Sequence, residues 1–199
     1  MLQPHHRAIV FDCDGTLADS MPAHWIAWHH TLKDHGLDQY LPHERFMALG
    51  GVPAHRIFEM IAEEAGVVLD PLELAAKKYE AYFASAHLIQ PIAPTVQLAR
   101  RSRGRVPMAV ATGSTRKGVT HTLGAIGMGD FFETVICADD VRHPKPHPET
   151  YLKAAEALGV APAECLAFED TEVGMQSARD AGMDVIDVND LRPEQRSAG

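Results

Sequence analysis

Apolar residues along this 199-residue chain follow two different rhythms. Short unbroken runs recur at 8–11 (AIVF), 106–111 (VPMAVA), 134–137 (TVIC), 164–168 (ECLAF) and 183–188 (MDVIDV). Such runs predict buried strands. Between the later runs the spacing changes to three and four residues, which predicts helices near 115–124, 148–158 and 171–181. In PETYLKAAEALG, Pro148 suits a first helical turn, Tyr151, Ala154, Ala155 and Leu158 are its apolar positions, and Gly159 stops it. EDTEVGMQSARDAG closes in the same way at Gly182. Alternating strands and helices predict an α/β fold with a right-handed, mostly parallel sheet.

One interval breaks the alternation. Residues 17–90, between the first and second strands, are too many for one crossover helix. They contain several helical signatures: MPAHWIAWHHTLKDHG, PAHRIFEMIAEEAG and PLELAAKKYEAYFASA. In the second, Ile57, Met60, Ile61 and Ala65 are expected to form one apolar face, ended by Gly66. The expected organisation is a core of residues 1–16 and 91–199 with a helical cap of residues 17–90, Pro91 and Pro94 stiffening the return.

Composition narrows the classes of partner. The net charge of −9 comes without any basic block, which argues against nucleic acid and against an anionic membrane surface. No apolar stretch approaches the ~20 residues of a membrane span, and MLQPHHRAIVFD lacks a signal-peptide layout. Cys13, Cys137 and Cys165 are odd in number and far apart, as expected of reduced thiols in a cytoplasmic protein. The 12 histidines are scattered and read mostly as solvated. A monomer is the expectation for a capped chain of this size.

The polar residues that follow each strand carry the chemistry. Asp12 and Asp14 follow the first strand, Thr112, Gly113 and Ser114 the second, Lys145 the third, and Glu169 and Asp170 the fourth. The carboxyl ends of parallel strands open on one edge, where ligands bind. Four distant segments thus bring acid, hydroxyl, ammonium and acid groups to one crevice. Two carboxylates ~4 Å apart at an effective dielectric of ~20 repel by about 4 kcal/mol. Either their pKa values rise or a cation stands among them. Oxygen ligands favour magnesium, with Asp12, Asp14, Glu169 and Asp170 as candidate ligands. Magnesium in turn lets a phosphate dianion approach.

Roles follow from residue type. Asp12, nearest the strand end, is the candidate nucleophile. Asp14, two residues on, is expected on the same side as an acid and base. Thr112 and Lys145, with the Gly113–Ser114 amides, are expected to hold the phosphoryl oxygens.

DCDGT at 12–16, ATGS at 111–114, Lys145 in KPHP and EDTEVG at 169–174 resemble, in order and spacing, the four motifs of the haloacid dehalogenase superfamily. The resemblance implies a Rossmann-like core, an inserted helical cap and magnesium-dependent phosphoryl transfer through an aspartyl-phosphate. An acid at position 14 resembles the phosphotransferases of that superfamily and not its dehalogenases. DSMPAHWIAWHHTLKDHGL, LGGVPAHRI and RVPMAVATGS are similar to the beta-phosphoglucomutase-like branch, especially its fructose-1-phosphate and 6-phosphogluconate phosphatases. By that likeness His24, Trp28 and Gly51 face the substrate. The mutase cap loop carries two cations around the glycine matched by Gly51, where this chain has Gly50 and Ala54; Arg56 and Lys78 are the cations left to substitute.

Plainer readings stand beside these. An Asp pair after a strand is often a turn former, Thr112 alone suits a helix N-cap, and Trp28 suits a core beside Trp25 and Leu32. Cys13 by alternation faces the core, and no cysteine has an arginine six residues on to complete a cysteine-phosphatase loop. The joint placement favours a phosphatase acting on a small phosphorylated metabolite. A hexose-phosphate mutase and a non-catalytic phospho-aspartate switch are the alternatives.

Overall fold

The computed structural model describes residues 2–50 and 52–192. Its main sheet has five parallel strands: β1 (Ala8–Phe11), β4 (Met108–Ala111), β5 (Thr134–Ile136), β6 (Cys165–Glu169) and β7 (Asp184–Asp187). Their spatial order is β5-β4-β1-β6-β7, so the chain builds outward from β1 in one direction, then returns to build in the other. All four pairings are parallel. The strands match the apolar runs to within two residues, and no helix among the described residues is long and apolar enough to cross a membrane.

Alternation along the strands sorts side chains between two layers. Ile9, Phe11, Val110, Leu166 and Phe168 face one layer, with Val96 and Ala99 of α5 (Ala93–Ser102) and Val119 and Leu123 of α6 (Arg116–Ala125). Phe11 and Phe168 stack there at 5.2 Å between centroids. Ala8, Val10, Ala109, Ala111 and Ala167 face the other, against Tyr151, Ala154 and Ala155 of α7 (Glu149–Leu158) and Ala178 of α8 (Glu172–Asp180). Small strand residues on that face let α7 and α8 approach closely. Gly159 and Gly182 both have positive φ just past their helices, as expected of stop residues.

Helices α1 (Met21–Lys33), α2 (His43–Ala48), α3 (Ala54–Ala65) and α4 (Pro71–Ala84) form a layer with its own apolar cluster. Trp28, Leu32, Phe46, Ile57, Phe58, Ile61 and Leu74 are buried in it. The apolar face of α3 differs from expectation: Phe58 is buried and Met60 is 41% exposed. The ring of Phe58 lies 4.5 Å from Trp28, and this contact turns the buried stripe one position away from Met60. The helical layer joins the sheet through a two-stranded antiparallel ribbon, β2 (Ala18–Asp19) and β3 (Gln90–Pro91), at the two ends of the 17–90 interval. All three cysteines are buried and free, Cys13 within the sheet's core.

Candidate active site

The strand order reverses between β1 and β6, and the acidic residues emerge there, as a ligand crevice at a switch point requires. Asp12 directly follows β1, its N–H bonded to the Phe168 carbonyl at 2.9 Å. Glu169 ends β6 and Asp170 comes next. Asp12, Glu169 and Asp170 each offer a carboxylate oxygen within 4.8 Å of the others. Lys145, in the loop between β5 and α7, reaches into this group. Its Nζ lies 2.8 Å from Asp12 Oδ1 and 2.6 Å from Glu169 Oε1, with Tyr151 Oη at 3.3 Å.

Burial and like charge set the ionisation here. Burial pushes Asp12 well above the ordinary carboxylate range, against the pull of Lys145 and with the push of Glu169 and Asp170. Asp170 rises to about 7, first through burial and then through Glu169. Burial would push Lys145 down, but Asp12 and Glu169 outweigh it and hold the ammonium charged. Glu169 stays below its usual range despite burial, because Lys145 and the N–H groups of Asp170 and Thr171 bind its ionised form. Those amides and the Thr171 hydroxyl all donate to Oε2, at 2.9, 2.9 and 3.1 Å. Glu169 thus ties down the turn that leads into α8, whose own N-cap is Thr171, and positions Lys145.

Two glycines make room for the acids. A Cβ on Gly15, whose φ is +89°, would stand 2.1 Å from Asp170 Oδ2, and one on Gly174 would stand 1.7 Å from Glu169 Oε1. The Asp170 carboxylate therefore lies over the Gly15 backbone, where Thr16 Oγ1 donates to it at 3.2 Å. Three carboxylates gathered around one cation, two with raised pKa, fit a divalent metal ion with hard oxygen ligands. Asp12 and Asp170 are the residues whose second oxygens accept no hydrogen bond among the described residues.

Asp14 is drawn to another wall. Its carboxylate accepts from Ser20 Oγ and Ser114 Oγ, both at 2.6 Å, and His24 Nε2 stands 3.5 Å away. These partners hold it ionised, below its usual range, despite burial. Placed by its bonds, Asp14 is separate from the three-carboxylate group that the sequence reading extended to it. Thr112 is buried on the neighbouring strand end and accepts from the Ser114 N–H at 3.1 Å. The N-cap of α6 is Thr115, so the capping alternative for Thr112 does not hold.

Behind Asp14 lies a pair that local reading left unconnected. Lys78 Nζ is 2.8 Å from His24 Nδ1, and the His24 ring stacks on Tyr82 at 3.9 Å. With Lys78 donating to Nδ1, the ring proton sits on Nε2, facing Asp14. Burial depresses both groups, Lys78 to about 7. One signal was available: Leu74, Lys78 and Tyr82 recur every four residues, so Lys78 shares the buried stripe of α4 while Lys77 faces solvent.

Asp12, Asp14, His24, Lys78, Lys145 and Asp170 line a cavity of about 800 Å³ between the sheet edge and the helical layer. Trp28, Trp25, His43 and Phe46 contribute rings to its far side, so Trp28 both packs in the cap and borders the cavity. Arg192 and Asn189 also border it, and the sequence reading singled out neither: the Arg192 guanidinium donates to the Gly15 carbonyl, and Asn189 Nδ2 to the Asp170 carbonyl at 2.8 Å. Gly113 and Ser114 lie on the rim, whereas Gly51 is outside the described residues.

The model of the haloacid dehalogenase-like hydrolase family matches residues 9–188, nearly the whole described chain. The chain belongs to that family. Among its relatives, fructose-1-phosphate phosphatase YqaB of Escherichia coli K12 is 39% identical over 184 residues, covering 92% of this chain and 96% of the relative. The 6-phosphogluconate phosphatase of the same organism is 31% identical over 181 residues, covering 90% and 81%. Among solved structures, a beta-phosphoglucomutase from Clostridium difficile superposes with a TM-score of 0.81 at 22% identity, over 96% of this chain and 95% of that one. At that identity the likeness establishes the fold: this hydrolase shares the Rossmann-like core and helical cap of that mutase.

Proposed function

We propose that this chain is a magnesium-dependent phosphatase of small sugar-phosphate monoesters, of the fructose 1-phosphate or 6-phosphogluconate type, working through an aspartyl-phosphate on Asp12. The observation that carries the reading is the meeting of Asp12, Lys145 and Asp170 at the floor of a cavity roofed by the cap. The relatives named above act on such esters along almost the same length of chain. Bound magnesium supplies charge neutralisation, which lets a phosphate dianion stand beside Asp12.

Asp12 attacks phosphorus and the sugar oxygen leaves. Lys145 and the Gly113 N–H offer donors to the phosphoryl oxygens, with Thr112 holding the turn by accepting the Ser114 N–H. Asp14, ionised at rest, takes the proton of the attacking water in the second half-reaction. In the first half it must give a proton to the leaving oxygen. That proton is taken up from solvent as the substrate dianion, whose charge favours the protonated form, arrives, and the proton taken from water later replaces it. Ser20, Ser114 and His24 keep its carboxylate in place through both steps.

Hydrolysis is favoured over phosphate transfer within a bisphosphate because the cap offers little to hold a second phosphate. Arg56 pairs with Glu59 and is not among the cavity-lining residues. Lys78 lines the cavity but is turned to His24. A panel of phosphorylated metabolites, assayed for free phosphate with magnesium present, tests the reading. Fructose 1-phosphate or 6-phosphogluconate is expected among the best substrates. Conversion of beta-glucose 1-phosphate into glucose 6-phosphate without phosphate release contradicts it.

A further inference from the structure

The fold gathers two histidines that look isolated in the sequence. His5 Nε2 and His6 Nε2 lie 3.1 and 2.9 Å from one atom, Asp184 Oδ2. They meet because β1 and β7 flank β6, with the Arg7 N–H bonded to the Glu164 carbonyl at 2.7 Å and Asp184 opening β7. The His6 side chain is 2% exposed, whereas those of His5 and Asp184 are 53% and 59% exposed. One donor is thus built into the fold and two leave an open approach. Donors held about 2.1 Å from a single ion at tetrahedral or octahedral angles stand about 3.0–3.4 Å apart, close to both separations seen here. The group sits at the amino ends of the strands, on the edge opposite Asp12 and Asp170.

We propose that His5, His6 and Asp184 form a second metal site, for a transition-metal dication of the Zn2+, Ni2+ or Cu2+ kind, which pins the segment before β1 to the edge strand β7. Two imidazoles and one carboxylate favour such ions over magnesium, which takes all-oxygen sites. Water completes the coordination. The Gln3 N–H donates to His6 Nδ1 at 2.9 Å, so the neutral ring carries its proton on Nε2. Coordination at Nε2 moves that proton to Nδ1, and the exposed Gln3 amide turns to water.

The test uses the full chain in excess magnesium, which keeps the acidic site supplied with its hard ion. Titration with Cu2+, followed by electron paramagnetic resonance, is expected to give one nitrogen-coordinated ion per chain. Zn2+ under the same conditions is expected to raise Tm by several degrees. His5→Ala and Asp184→Asn, both at exposed positions, are expected to bind Cu2+ at least about tenfold more weakly and to lose the Zn2+ shift while keeping phosphate release. Asp12→Asn is expected to keep the copper signal. Absence of a nitrogen-coordinated ion in the wild type, or wild-type copper affinity in both variants, overturns the site. Neither result depends on what the acidic site does.

Discussion

Lys145 Nζ and Asp12 Oδ1 stand 2.8 Å apart with both side chains almost wholly buried, and Glu169 holds the lysine from its other side. One ammonium thus serves two carboxylates away from solvent. Lys145→Met leaves both acids unpaired, and breaking a buried pair on one side costs about 3–5 kcal/mol. Urea denaturation in EDTA is expected to show a loss of that order, with magnesium recovering part of it. Phosphate release falls with it, because the phosphoryl group loses its cation.

The His24–Lys78 pair stands behind Asp14, not at the reacting atoms, so its loss weakens catalysis without abolishing it. His24→Ala is expected to lower kcat by about 10–100-fold, less than the roughly 100–10,000-fold that a positioned acid–base group itself supplies. Binding of magnesium, measured calorimetrically, is expected to remain at the wild-type value.

Ionisation gives the metal-free protein two windows of pH dependence. Asp170 has a folded pKa of about 7, above its unfolded value, so the native state binds the extra proton between about pH 4 and 7. Stability in EDTA therefore declines as pH rises through that window, by up to about 1.4 kcal/mol per unit from this group. Asp12 acts in the same direction. Asp170→Asn flattens the decline.

Lys78 works in the opposite sense. Its folded pKa of about 7 lies below the unfolded value near 10.4, so between these the unfolded state binds the extra proton. Stability is expected to rise with pH across that window, and Lys78→Met to remove the rise. Urea melts at pH 5, 7 and 9 on the three proteins separate the two effects.

Gly15 is the backbone over which Asp170 lies. Gly15→Ala puts a methyl group into the Asp170 carboxylate and forces a positive φ on a side chain. The carboxylate must swing aside. The Tm gained on adding magnesium is expected to shrink sharply in this variant, and the Tm in EDTA to fall by much less.

The sheet and the crevice were legible because they rest on strong local signals: buried strands of apolar runs, and polar residues just past each strand end. The direction of Asp14 was not. Period-two reasoning holds only while the backbone stays extended. After Phe11 the chain folds back, with the N–H groups of Leu17 and Ala18 both bonded to the Cys13 carbonyl. That turn carries the Asp14 carboxylate toward Ser20 and Ser114 instead of toward Asp170. Glu169 was readable as an acid of the crevice, but its bonds to the Asp170 and Thr171 N–H groups just before α8 needed the fold. His5, His6 and Asp184 escaped for a related reason, since nothing local announces a partner 178 residues away.

The most direct measurement is phosphate release from p-nitrophenyl phosphate by Asp12→Asn and the wild type, at matched magnesium and with folding checked by circular dichroism. A folded variant slower by at least about a thousandfold is the expected result for loss of the nucleophile. Turnover of the folded variant at the wild-type rate contradicts the assignment of Asp12.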